Sequence, residues 1–156
     1  MLRLRHLPAS ALALPAMMLA ASPAASQSRM TAPATEVVSA WSDICLAHAG
    51  DPKAQRRAAE QSRPDFPVQV QFLGDEADPI CIVISVLDEG QSYENLLEAA
   101  RTAFDFSALA EVKDQASGMS SVATINSRKF RVSFSTKQTQ DRTVAMAVIG
   151  EMKASK

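Results

Sequence analysis

Two cysteines restrict this chain more than any other feature. Cys45 lies in "DICLAHAG" and Cys81 in "ADPICIVIS", and the sequence holds no others. The chain opens "MLRLRHLPASALALPAMMLAASPAASQS", in which Arg3 and Arg5 precede an uncharged apolar stretch that ends in small residues. That is the layout of a secretory signal peptide. Export delivers the rest of the chain to an oxidising compartment, where cysteine pairs oxidise. With two cysteines only one intramolecular pairing exists. Any fold must therefore bring the segment around residue 45 against the segment around residue 81. The bridge closes a loop of about 37 residues, which chain-entropy arguments value at roughly 4 kcal/mol.

The segment boundaries follow from the signal. Residues 1–26 read as the signal peptide, 27–33 as a flexible leader, and 34–156 as a single domain. The apolar stretch from Leu7 to Ala21 is interrupted by Pro8 and Pro15 and is shorter than the roughly 20 residues of a transmembrane helix. No cysteine follows it that would take a lipid. The expectation is a periplasmic or secreted protein with no stable membrane span after cleavage. About 130 residues remain, enough to bury one core. Loss of Arg3 and Arg5 lowers the 16 basic residues to 14 against 17 acidic ones, a net charge near −3 with no basic block. Nucleic-acid binding needs a concentrated positive surface, so that class is set aside.

Helical periodicity runs from about Ala34 to Ala49. Val37, Val38, Trp41, Ile44, Cys45 and His48 recur on one face at 3.6 residues per turn, with Thr35 as the expected cap and Gly50 as the stop. Asp51 and Pro52 begin a second, short helix to about Gln61, whose Arg56 and Arg57, with Arg63 beyond it, read as a solvated face. "VQVQFL", 68–73, alternates as a half-buried strand. "ICIVISVL", 80–87, is apolar and β-branched throughout, which predicts a central strand covered on both faces. The two make a hairpin. Ser92 caps a third helix to about Asp105. "LAEVKD" reads as an edge strand, and residues 120–125, 130–135 and 143–152 as a meander, with Gly150 marking a bulge or bend. The order predicts an α+β domain of two layers, an antiparallel sheet of about five strands with helices packed on one face.

The candidate chemistry is sparse. Cys45, His48 and Cys81 have the residue types of a three-ligand metal site, and Cys45 with His48 those of a nucleophile pair. A disulfide uses up both thiols, however, and His6, the other histidine, leaves with the signal. No catalytic residue, metal or cofactor is therefore assigned. Asp75, Glu76 and Asp78 form an acidic loop without calcium-loop spacing and read as turn residues. No phosphate loop, dinucleotide fingerprint or G-x-S-x-G is present. Arg128, Lys129 and Arg131 around Phe130 form a candidate partner-binding face.

With Trp41, Cys45, Leu46 and Cys81 placed, the chain resembles a loose group of small, uncharacterised exported proteins of Gram-negative bacteria. These carry an aromatic-x-x-x-Cys-Leu helix after the signal and a second cysteine in a strand. The resemblance implies a periplasmic location and carries over no catalytic residue. The expected function is that of a non-enzymatic binding or accessory domain, held by Cys45–Cys81, with an envelope protein or cell-wall partner. The alternative is a small envelope hydrolase or metal-dependent enzyme built on His48 and nearby carboxylates.

Overall fold

A computed structural model describes residues 30–62, 67–74 and 79–152. Residues 1–26 (the expected signal peptide), the first part of the expected leader, Arg63 and the acidic residues Asp75, Glu76 and Asp78 lie outside the described residues. The chain forms α1 (Ala34–Ala40) running into a π-helical turn (Trp41–Leu46), α2 (Pro52–Ser62), β1 (Gln69–Leu73), β2 (Ile80–Val86), α3 (Tyr93–Ala103), a 3₁₀ turn (Phe106–Ala108), β3 (Leu109–Gln115), β4 (Gly118–Ile125), β5 (Arg128–Gln138) and β6 (Thr143–Glu151). The strands make one antiparallel sheet of six, in the order β1–β2–β6–β5–β4–β3. The α+β class and antiparallel sheet match the expectation, and the strand count exceeds the anticipated five.

The topology joins two local units. β1 and β2 pair as a hairpin, and β3 to β6 follow one another as a meander. α3 carries the chain from β2, one strand in from the near edge, to the far edge, and β6 returns to lie beside β2. The β4–β5 turn is Asn126-Ser127 with φ of 49° and 64°, the paired left-handed geometry that suits a two-residue hairpin.

One face of the sheet builds the core. Cys81, Val83, Ala145, Ala147, Ile149, Phe130, Val132 and Phe134 point to it, against Val37, Val38, Trp41, Ile44, Leu96 and Ala100 of the helices. The fully buried Trp41 makes edge contacts with Phe134 at 4.9 Å and Phe104 at 6.3 Å between ring centroids. Each such pair adds about 0.5–1.5 kcal/mol beyond burial. Its Nε1–H has no acceptor among the described residues, which offsets about 1–3 kcal/mol of that gain.

The first helical segment departs from a simple helix. It turns π-helical at Trp41, and the Ala47 amide donates to Ser42 O at 2.9 Å. An i→i+5 turn takes in one extra residue, so the 3.6-residue stripe holds through Cys45 and then loses its register. His48 is accordingly half-buried rather than part of the core. The start also differs. Thr35 caps nothing, and the Ala34 amide donates instead to the Gln91 side chain, 2.6 Å away and remote in sequence. The end of the presumed leader is docked. Ala32 is fully buried, makes a parallel bridge to Leu87, and exchanges backbone hydrogen bonds with Val86 and Asp88 at 2.8 and 3.0 Å. α2 starts as its sequence predicts, with the Ala54 amide donating to Asp51 Oδ1 at 2.9 Å.

Candidate functional site

Cys45 and Cys81 are joined in a disulfide, with Cα atoms 5.6 Å apart and both residues buried. The bridge ties the π-helical turn to β2, and a second contact supports it. Gln55 of α2, only 4 % exposed, donates from Nε2 to the Cys45 carbonyl at 2.8 Å. A helix end leaves carbonyls without intrahelical partners, and Gln55 supplies one from a neighbouring element. The motif around Cys45 is therefore architectural, and neither sulfur is a free thiolate. His48 sits at the end of this segment. Its carbonyl accepts from the Asp51 amide at 3.0 Å, and its ring makes no hydrogen bond or ion pair with the described residues. The carboxylate loop with which His48 would have to act lies outside them.

Arg128, Lys129 and Arg131 do not form one surface. Strand alternation divides them. Arg128 shares the helix side with Phe130, lies over that ring at 5.9 Å, donates from Nε to Glu151 Oε1 at 2.6 Å, pairs through Nη2 with Glu151 Oε2, and donates from Nη1 to Gly50 O at 3.0 Å. It is a structural clamp at the base of the β5–β6 pair. Gly50, at φ +86°, makes room for it, because a Cβ there would collide with Arg128 Nη1. Lys129 and Arg131 are exposed on the opposite side of the sheet.

The helices pack on one face of the sheet, the core face, as the element order predicts, but the expected covering of residues 80–87 on both faces does not hold among the described residues. The register places Ile80, Ile82, Ile84 and Val86 of β2 beside Gly150, Val148, Met146 and Val144 of β6 on the open face. Ile82 is 8 % exposed between its cross-strand neighbours Gln71 and Val148, and the rest are half-buried. The stripe is two strands wide except at Ile80, where Leu73 of β1, 51 % exposed, extends it to the edge. β1 flanks it with Gln69 and Gln71, and β5 with Arg131, Ser133, Ser135 and Lys137.

Gly150 marks no bulge. It pairs in register with Ile80 and Arg131. Its role is spatial, since a Cβ there would meet Ile80 Cγ1 at 3.3 Å. The missing side chain leaves a shallow hollow of about 210 Å³, with Ile80 and Val148 as apolar walls and Arg131 and Ser133 as polar ones. The signal for this stripe was present in "TVAMAVIGEM": a run apolar at both parities supplies apolar side chains to both faces.

Two carboxyls elsewhere are shifted, and both belong to turns. A hydrogen bond from Ser92 holds Glu94 below the ordinary glutamate value, and bonds from the Ser107 hydroxyl and amide do the same for Asp105. Among the described residues no three His, Cys, Asp or Glu side chains gather as metal ligands, and no helix is long and apolar enough to cross a membrane. No protein-family model matches the chain, and comparison with curated proteins finds none with significant similarity.

Proposed function

We propose that the protein is a non-enzymatic binding or accessory domain of the bacterial periplasm, which holds an envelope partner on the open face of its sheet. The apolar stripe over β2 and β6 carries this reading. A sheet face exposed only to water normally alternates to polar side chains. Here seven apolar side chains stand on two adjacent strands with no helix over them among the described residues. Contiguous apolar surface left without a covering layer, even where its side chains are half-buried against one another, is of the kind that marks interaction sites. The polar flanks supply the rim that such patches carry, with Arg131 and Ser133 beside the Gly150 hollow. The Cys45–Cys81 bridge supports export, since disulfides persist in oxidising compartments.

The test is site-specific photocrosslinking in cells expressing the full chain. A photoreactive residue replaces Val148 or Ser133 on the open face, or Glu98 on the exposed side of α3 as the control. Open-face positions are expected to give discrete adducts in the periplasmic fraction that the Glu98 position does not. Equal labelling from both sides, or none from the open face, overturns the reading. The intact mass of the same material checks export: loss of about 26 residues and a mass two hydrogens short of the reduced chain are expected.

A further inference from the structure

The two edges of the sheet are built differently. β3, at one edge, is interrupted by an irregularity between Ala110 and Lys113 and carries the charged sequence "EVKD". A bulge and a lysine are the usual devices that stop an edge strand from pairing with another chain. β1, at the other edge, has neither. Its sequence is "QVQFL", without lysine, proline or charge, and its register with β2 is unbroken from Gln69 opposite Ile84 to Leu73 opposite Ile80. Its outer side has no pairing strand among the described residues.

A groove runs along this unprotected edge, with α2 as its second wall. Two hollows of about 360 and 550 Å³ share Arg56 and Phe72 and together follow the strand from Val68 to Gly74. The helix wall is one face of α2, with Lys53, Arg56, Ala59 and Glu60 at helical spacing. Val70 and Phe72 lie on the core side of the strand and offer the groove an apolar floor, and the Arg56 guanidinium lies 5.0 Å above the Phe72 ring. Neither Lys53 nor Arg56 is paired with a carboxylate among the described residues.

We infer that β1 accepts an extended segment of a partner protein as an added seventh strand, lying in the groove beside α2 with an acidic side chain against Lys53 and Arg56. Backbone pairing along the edge supplies most of the affinity, and the alternate side chains that point towards α2 supply the selectivity. Five strand residues at about 3.4 Å each give the groove room for a segment of five or six residues. A second copy of this chain fits less well. Antiparallel pairing of two β1 edges places both α2 helices on the same side of the joint and faces Lys53 and Arg56 with their own copies, a like-charge juxtaposition that disfavours the pair. This site adjoins the open face, with which it shares Ile80, but does not depend on the function proposed there.

The experiment uses the mature, oxidised protein and three synthetic peptides of about eight residues, alternating valine and threonine. One carries two glutamates on one side, one carries lysines in their place, and one repeats the acidic sequence with alternate amides N-methylated. Binding is followed by amide chemical shifts and hydrogen exchange. The acidic peptide is expected to bind, to slow exchange within residues 69–73, and to shift the α2 amides around Arg56. The lysine peptide is expected to bind about tenfold more weakly, and Arg56→Glu to reverse that order. The N-methylated peptide is expected not to bind. Absence of binding at millimolar acidic peptide overturns the inference. Equal binding of the N-methylated peptide, or shifts confined to the open face, does so as well. A β1-dependent dimer in sedimentation overturns it in favour of a second copy.

Discussion

Reduction of Cys45–Cys81 isolates one stabilising effect more cleanly than any substitution here. Both cysteines are buried, 0 % and 1 % exposed, and their separation of 36 residues defines the closed loop. Cleaving the bond with a phosphine reductant removes no heavy atom, so the packing against β2 keeps its volume. The change lies chiefly in the unfolded chain, which regains the freedom of the open loop. For that loop length the entropy amounts to about 4 kcal/mol at room temperature. With an unfolding entropy of about 2.1 cal/mol/K per residue over roughly 120 ordered residues, the melting temperature should fall by about 15 °C. In urea, at an m-value of about 2 kcal/mol/M, the midpoint should fall by about 2 M. The assay is paired thermal and urea unfolding of oxidised and reduced protein, followed by near-ultraviolet circular dichroism of Trp41. The double change Cys45→Ala with Cys81→Ala should lose slightly more, because it also empties core volume. A shift below about 3 °C on reduction would refute the reasoning, since the tether would then be adding little to contacts that already hold the π-helical turn on β2.

Three further outcomes are expected. Ser127→Gly should raise the melting temperature by a few degrees, about 0.5–1 kcal/mol, because Ser127 holds φ at 64° and glycine adopts that region without steric cost; an unchanged or lower transition in calorimetry counts against it. Gly50→Ala should destabilise by about 1–2 kcal/mol in urea titration, because it combines a positive φ with a Cβ that displaces the Arg128 guanidinium from the Gly50 carbonyl and Glu151; Arg128→Met in the same background should then cost little more. Acid should loosen the Ser92–Glu94 and Asp105–Ser107 turns: their folded carboxyl values lie below 4.5 and 3.8, so the stability they add is full above those values and is lost as pH falls through the lowered ones. Amide titration by NMR between pH 5 and 2 checks this, and titration of both carboxyls at ordinary values contradicts it.

Local rules made much of this fold legible in the chain. The alternation of "VQVQFL", the Ser92 cap of α3 and the Asp51-Pro52 helix start all depend on neighbours a few residues away, and the structure contains them. The export signature with two cysteines also left a single bridge to expect, and it is formed. What was not legible depended on distant partners. Thr35 looked like a cap, yet Gln91 supplies the acceptor across more than fifty residues. Residues 31–33 looked like a leader, yet Ala32 reaches Val86 and Leu87 once the sheet exists. Arg128, Lys129 and Arg131 looked like one cationic patch, yet strand alternation and the Glu151 clamp divide them.

The candidate surfaces show the same division. The composition of β2 and β6 by itself determined that both faces of the central sheet would be apolar, since neither strand alternates. The element order predicted helices on one face only, but nothing local determined which face they would take. That was decided by connectivity: α3 must carry the chain from β2 to the far edge, and the Cys45–Cys81 bridge holds α1 on the same side as α3. The edge at β1 follows the same logic. Its uncharged sequence is local information, but its position as an unpaired edge beside α2 exists only because β6 returned to take the inner side of β2. Side-chain pattern is a property of the chain, whereas the neighbours that cover a pattern or leave it open are set by the path of the whole chain through space.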